Sequence, residues 1–332
     1  MALDSTPWMV GGGAQHSVEV ARLLAYASTS GAEGVVEPKS LAVKAQSTPN
    51  DTVAVRPGAA LILNRYSGGG QQTYVLRNAS STSVTIPATG SGGGRTDAII
   101  ARVLDPQYEG AAPSDPVTFQ YAKLTRIASV SASLKSIDQL NLSYPAVLLA
   151  KVTIPASTVT ITNGMITDLR EVALPRSLDV WRPRALASPD TETLVSSADG
   201  EYFPNNGGPQ SISIPKWATR ALIRCEWLSV RYGPKNAYGK YWVEYGPYAG
   251  TSLRERSTQK FQFDTPEADN SSRANWIAVD DVYIPADYRG TDQMFVPKAQ
   301  RVGGVSKTIQ LDGVSGMNMQ IRFLEAADPS TT

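Results

Sequence analysis

The sequence predicts a mainly β protein: an N-terminal β-meander or sandwich domain with one short helix, a linker, and a C-terminal β-sandwich of jelly-roll type. Three observations carry this prediction. Apolar and polar residues alternate over most of the 332 residues, the period-2 pattern that buries one face of a strand. Helical spacing recurs at one place only, over 17–29. Charged residues make up 18%, below the about 25% of an average soluble domain, and glycine and proline break the chain at turn spacing. The length exceeds the roughly 100–200 residues of one domain, so two domains are expected.

The helix SVEVARLLAYAST has Ser17 to cap it, Glu19 at its positive end and Gly31 after its last turn. Val20, Leu23, Leu24 and Ala27 share one stripe, which predicts packing on a sheet. Strands are expected at 41–46, 52–63, 72–78, 82–88, 97–105 and 117–124. The triplets 68–70 and 92–94 lack the spacing of a phosphate-binding loop and are read as turns. Residues 144–175 read as a meander. A strand at 147–154, the turn Pro155-Ala156-Ser157, a short strand with Val159 and Ile161, an Asn163-Gly164 turn and a closing segment 166–170 follow one another.

Prolines in LPRSLDVWRPRALASP disfavour both helix and central strand, so 174–190 is read as a linker, with Trp181 expected to dock it on a neighbour. The boundaries are 1–173 for the first domain, 174–190 for the linker and 191–332 for the distal domain. Of the 26 aromatic residues (6 Trp, 14 Tyr, 6 Phe), 18 follow residue 180, which sets the distal domain apart. Its strands are expected at 211–215, 218–232, 239–246, 260–265, 274–285, 293–302, 307–313 and 316–325, the number and spacing of a jelly roll.

A net charge of +1 without a Lys/Arg cluster argues against nucleic acid as a partner. The one cysteine, Cys225, has no internal partner and sits in an alternating apolar strand, so it reads as a small buried hydrophobe of a protein folded in a reducing cytoplasm. The first residues lack the basic start and apolar core of a secretory signal, and no window approaches the roughly 18 apolar residues of a membrane span. No membrane insertion is expected.

Catalytic chemistry has few places to go. His16 is the only histidine and stands at the start of the helix without a partner pattern, so it reads as a capping or packing residue. Paired acids for glycan hydrolysis would have to come from Glu244, Asp264, Asp280 and Asp281, yet adjacent strand residues point to opposite faces. The same acids lack the loop spacing of a calcium site, and no cofactor, metal or enzymatic activity is expected. The segment RYGPKNAYGKYWVEYGPYAG is different. Tyr238, Tyr241, Trp242, Tyr245 and Tyr248, with Trp276, form an aromatic set of the kind that stacks on the apolar C–H patches of sugar rings. The alternative is that Tyr241, Val243 and Tyr245 build the sandwich core while Tyr238 and Tyr248, in the loops on either side of this strand, stay exposed.

Three stretches taken in order resemble one known family. They are the opening MALDSTPWMVGGGAQHSVEVARLLAYASTSGAEGVVEP, the strand SGGGRTDAIIARV with its R-x-D-hydrophobic core, and the strand, turn and I-x-D-L-R ending within YPAVLLAKVTIPASTVTITNGMITDLREVALP. Together they are similar to the N-terminal attachment domain of minor tail proteins from long-tailed phages of actinobacteria, in which a "vtIPAg" turn precedes the "I.DlR" ending. The resemblance covers roughly residues 1–175 and is looser beyond Leu178. It implies a virion component at the tail tip, homotrimeric around the tail axis, contacting other tail-tip proteins and presenting the distal sandwich outward for host adhesion, possible partners there including cell-wall polysaccharide. Alternatives are a carbohydrate-binding receptor-recognition protein and a cell-wall glycan depolymerase.

Overall fold

The computed structural model describes residue 12 and residues 16–185, 191–195, 199–249, 253–266, 269–303 and 308–328. Most of the opening motif's first fifteen residues and 186–190 of the expected linker lie outside the described residues. The chain divides into two compact units, Met1–Pro175 with Ala326–Thr332, and Arg176–Glu325.

In the first unit α1 (Val18–Ser28) is followed by β1 (Gly34–Val35), β2 (Val43–Ala45), β3 (Thr52–Val55), β4 (Gly58–Leu63), β5 (Thr73–Asn78), β6 (Thr82–Thr85), β7 (Arg95–Val103), β8 (Ala122–Ile127), β9 (Ala146–Ile154) and β10 (Ile166–Asp168). They form antiparallel sheets ordered β1-β4-β5, β2-β3-β6 and β10-β9-β7-β8. The apolar runs of β7 and β9 are nearly continuous because both faces of their sheet are covered. Ile99, Val147 and Leu149 meet Val53, Val55 and Ile62 of the smaller sheets. On the other face Ala98, Ile100 and Leu148 lie under Leu134 of the long connection between β8 and β9.

The helix forms where expected, with the Ser17 side chain accepting from the Val20 amide at 3.3 Å, but it docks by the other side. Leu23, Leu24 and Ala27 are exposed, Leu23 at 39% and Leu24 at 43%, and Arg22 is the buried residue. The guanidinium decides this orientation. It donates to Gln72 Oε1 (2.5 Å), Asp105 Oδ2 (2.9 Å) and Gln107 Oε1 (2.8 Å) and sits over the Tyr74 and Tyr108 rings. Charge-assisted bonds with cation–π contacts outweigh burial of two leucines.

Two further expectations are corrected and one is made specific. Val159 and Ile161 form no strand: Val159 is exposed, and Ile161 is buried with its amide on the Asn50 carbonyl at 2.7 Å. The Asn163-Gly164 turn is a 3₁₀ turn, Asn163–Met165, whose Asn163 Oδ1 accepts from the Ala45 amide at 2.9 Å. The stretch read as a linker holds β11 (Ser177–Ala185), paired antiparallel with a late strand from Ser177↔Leu324 to Ala185↔Gly316. Its one internal proline, Pro183, is tolerated because β11 is an edge strand, where a missing N–H costs no ladder bond on the open side. The described end of the chain also groups with the first unit, where the Asp328 amide donates to the Pro38 carbonyl at 3.4 Å.

After β11 the second unit continues with β12 (Glu192–Thr193), β13 (Glu201–Tyr202), β14 (Gln210–Ser213), β15 (Arg220–Tyr232), β16 (Ala237–Tyr248), β17 (Arg254–Ser257), β18 (Phe261–Thr265), β19 (Ser272–Tyr283), β20 (Asp292–Gly303), β21 (Ile309–Leu311) and β22 (Gly316–Leu324). Short strands share columns. One sheet runs β11 and β12, then β22 and β21, then β15, then β19; the other runs β13 and β14, then β20, then β16, then β17 and β18. Eight antiparallel columns connected in that order are the jelly roll the sequence predicts.

Aromatic residues fill the space between its sheets. Trp276 stacks on Phe263 (4.7 Å, 8°) and Tyr241 (5.0 Å, 11°). Its indole N–H donates to the Tyr232 hydroxyl, and the Trp227 indole to the Phe203 carbonyl. Each ring pair adds about 0.5–1.5 kcal/mol beyond its buried area.

Candidate functional site

The odd-numbered residues of β16 from Ala237 to Tyr245 face the space between the sheets, and that phase sorts the predicted sugar-binding residues. Tyr241 and Tyr245 point between the sheets, as does Trp276 from β19. Tyr241 lies between Trp276 and Phe261, and Tyr245 stacks on Phe295 at 5.6 Å with its hydroxyl donating to the Tyr283 carbonyl. Burial pushes the phenols of Tyr232 and Tyr245 up to about 12. Their ring faces are occupied by other rings, so these three cannot receive a sugar.

Trp242 points to the outer face but is fully buried. Its indole N–H donates to Glu244 Oε1 at 2.9 Å, and Lys260 lies over its ring at 4.4 Å. Gly200 covers its edge. A Cβ there would stand 2.4 Å from the indole, and the backbone at φ +71° also favours glycine.

Tyr238 and Tyr248 remain exposed, at 42% and 57%. Both belong to β16 rather than to flanking loops, and ten residues of strand separate them by about 33 Å, so they are not one site. Tyr248 has the richer surroundings. Its hydroxyl is 3.4 Å from that of Tyr202, and the Arg254 guanidinium stands 3.8 Å over its ring. Burial, then the bond to Tyr248, raises the Tyr202 phenol above its ordinary value.

Tyr202 also lines a cleft of about 590 Å³ with Glu192, Thr193, Glu201, Asn205 and Asn206. The carboxylates shape its loops: Glu192 accepts from the Asn205 and Asn206 amides (2.5 and 3.0 Å), and Glu201 from the Val195 amide (2.7 Å). The exposed Asn205 and Asn206, a tyrosine wall and a neighbouring arginine can hydrogen-bond hydroxyls and stack on a ring. Sequence reading missed Tyr202, Arg254 and the cleft, because two-residue strands such as β12 and β13 leave no periodic signal.

The acids considered for hydrolysis are apart and engaged. Glu244 is buried with Lys298 at 3.3 Å and accepts from the Arg254 amide at 3.1 Å. Asp280 accepts from the Gln259 amide at 2.7 Å, while Asp281, on the opposite face of β19, pairs with Arg220 at 2.7 Å. Asp264 is exposed on β18. Among the described residues no three His, Cys, Asp or Glu come together as a metal cluster. Also among them, no helix is long and apolar enough to cross a membrane.

In the first unit the two remaining motifs prove to be clasps. The Asp97 carboxylate, fully buried, accepts from Arg95 Nε (2.9 Å), Arg126 (2.9 Å) and the Ser129 amide (3.0 Å), while Arg95 reaches back to the Pro87 and Ala88 carbonyls. Arg170, its guanidinium also buried, grips Asp168 through two bonds (2.9 and 2.6 Å) and donates to the Pro38 and Ser40 carbonyls. Each clasp ties a strand to a distant loop without placing a reactive group in a cleft.

No protein-family model and no curated protein matches the chain. Among solved structures it is similar to that of infectious bursal disease virus, Gx strain, at 13% identity over 90% of this chain and 73% of that one, with a TM-score of 0.25. The VP2 subviral particle of the same virus gives 11% identity over 88% and 72%, with a TM-score of 0.22. An insecticidal delta-endotoxin of Bacillus thuringiensis gives 11% identity over 90% and 52%, at 0.15. TM-scores this low carry no argument about fold or function.

Proposed function

We propose that this chain is a non-catalytic structural component of a virion, a minor tail protein of the tail tip, attached through its first unit and presenting its jelly roll outward. The observation that carries the reading is the inverted seating of α1. A helix held by a caged arginine, with Leu23 and Leu24 turned outward, is built to be covered by a neighbour. Copies of the chain, three around the tail axis, and other tail-tip proteins are that neighbour; nucleic acid and membrane are not partners. The R-x-D and I-x-D-L-R clasps support the reading by holding the meander rigid as a platform.

The test is a map of intact tails with this chain placed in it, together with particles carrying Leu23→Glu and Leu24→Glu. Loss of the chain from those particles is the expected result. A full complement of it would overturn the attachment role.

A second reading has its own observation. The Tyr248–Tyr202–Arg254 cluster beside the cleft has the chemistry to bind a cell-surface glycan. Particles with Tyr248→Ala and Tyr202→Ala should assemble yet adsorb poorly to host cells; undiminished adsorption removes this cluster. Purified protein should release no reducing ends from host cell-wall glycan, and their appearance would make it an enzyme.

A further inference from the structure

Two arginines beside the cleft of the second unit lack a counter-charge. Arg184, near the end of β11, lies on the same face of that strand as Val180, which packs against the core between the sheets. Its guanidinium rests on Gly207: a Cβ there would stand 2.3 Å from Nη1, and the backbone at φ +70° also favours glycine. Gly207 follows Asn206, which lines the cleft. Arg254 stands by the Tyr202 wall instead. It lies over the Tyr248 ring, whose hydroxyl meets that of Tyr202, and its Nη1 donates to the Gly246 carbonyl at 3.1 Å.

In both arginines Nε is buried without a hydrogen-bond partner, and among the described residues neither guanidinium has a carboxylate at ion-pair distance. Arg102 makes the contrast. Its Nε is buried and unpartnered too, yet Glu109 at 2.7 Å neutralises it. A partly buried cation without a partner is costly, and an anion that arrives beside it removes the cost. The carboxylates of the cleft do not fill this role. Both oxygens of Glu192 accept from the Asn205 and Asn206 amides, and Glu201 accepts from that of Val195.

We propose that the cleft takes an acidic glycan, whose carboxylate or phosphate groups pair with Arg184 and Arg254 while a sugar ring lies against Tyr202 and its hydroxyls meet Asn205 and Asn206. A guanidinium offers either anion a planar fork of N–H donors, whereas a neutral sugar leaves both cations unpaired. Glu192 and Glu201 balance the two arginines in net charge. Selection therefore acts at contact, through desolvated pairs, rather than by attraction at a distance. The inference rests on the glycan reading above and names the chemical class of its ligand.

The probe is purified host cell-wall polysaccharide in three forms: untreated, carboxyl-reduced with carbodiimide and borohydride, and dephosphorylated with hydrofluoric acid. The full-length chain should bind the untreated form and lose about tenfold or more in affinity for whichever form has been stripped of its acid, which also tells carboxylate from phosphate. Arg184→Gln and Arg254→Gln should each weaken binding of the untreated form by about tenfold, and Arg184→Lys, which keeps the charge but not the fork, should recover part of the loss. Circular dichroism checks the fold of each variant, and the treated glycans test the unaltered chain should a variant melt early. Equal binding of all three forms, or undiminished binding by both glutamine variants, overturns the proposal and leaves the glycan reading standing. Failure to bind any form overturns it as well, and normal adsorption of the Tyr248→Ala and Tyr202→Ala particles would then end the glycan reading too.

Discussion

The most buried carboxylate of the first unit, Asp97, is held by two arginines and a backbone amide, whereas the centre of the second unit, Trp276, is boxed by the rings of Phe263, Tyr241 and Trp227. The first unit fastens thin sheets and long connections with guanidinium clasps. The second fills the gap between two broad sheets with stacked aromatics. Short strands such as β1, β2 and β10 bury little area each, so point fasteners must fix where the chain crosses itself. Long strands such as β15, β16 and β19 create a continuous interior that only bulky side chains can fill.

Breaking the aromatic side of this comparison should have the largest effect. Trp276→Ala removes the ring that touches most others and should cost the second unit about 3–5 kcal/mol. Tryptophan emission reads that loss directly, because Trp181, Trp217, Trp227, Trp242 and Trp276 all belong to this unit. An unchanged midpoint in urea would show that the stack is not the core.

The matching cut in the first unit is Asp97→Ala. It leaves Arg95 and Arg126 unpaired in a partly buried site and should cost about 3–5 kcal/mol, at the lower part of that range because both guanidiniums keep some water. Hydrogen exchange should quicken in β7 and β9 and stay unchanged in β15. Faster exchange in both units would erase the contrast.

Alkali sharpens the comparison. The phenols of Tyr232 and Tyr245 are raised by burial from 10.0 to about 12, so the stability they lend is complete below pH 10 and is lost as pH climbs towards 12. Burial also pushes the Tyr241 phenol up. In the first unit burial, reinforced by the bond to Glu109, raises Tyr66 to about 12, and burial with the bond to Asp105 pushes Tyr74 further up. With more such groups at its centre, the jelly roll should unfold first, seen as tryptophan emission shifting red together with phenolate absorbance while β7 stays protected. Simultaneous loss of both units would contradict this.

The smallest effect is a gain. Ser157 sits at φ +55° in the turn after β9, left-handed backbone that glycine adopts at no steric cost. Ser157→Gly should relieve the strain of a side chain in left-handed backbone and stabilise the first unit by about 0.5–1 kcal/mol, read as a higher urea midpoint. A loss would mean that the hydroxyl matters more than the backbone.

Strand positions were legible because burial of one sheet face writes itself as alternation, and the eight expected distal strands all have counterparts in the jelly roll. The exposure of Tyr238 and Tyr248 was legible for a different reason, as residues of expected loops, although both lie on β16. The clasps were visible only as motifs. That Asp97 and Arg170 fasten loops depends on where Ser129 and Pro38 lie, and no local pattern states that. The cluster beside the cleft depends on Tyr202, Tyr248 and Arg254 coming together from three strands.

Sequence alone determined the fold class, the helix position and the alternation that selects inward from outward residues, because each arises from interactions within a few residues or from the one-sided burial of a strand. Tertiary structure alone decided that a proline-rich stretch joins a sheet edge, that α1 turns its leucines outward, and that Trp242 is covered by Gly200. Those outcomes are competitions between distant groups, a guanidinium cage against two leucines or a strand edge against a missing N–H. The winner depends on which partners the completed fold brings within bonding distance.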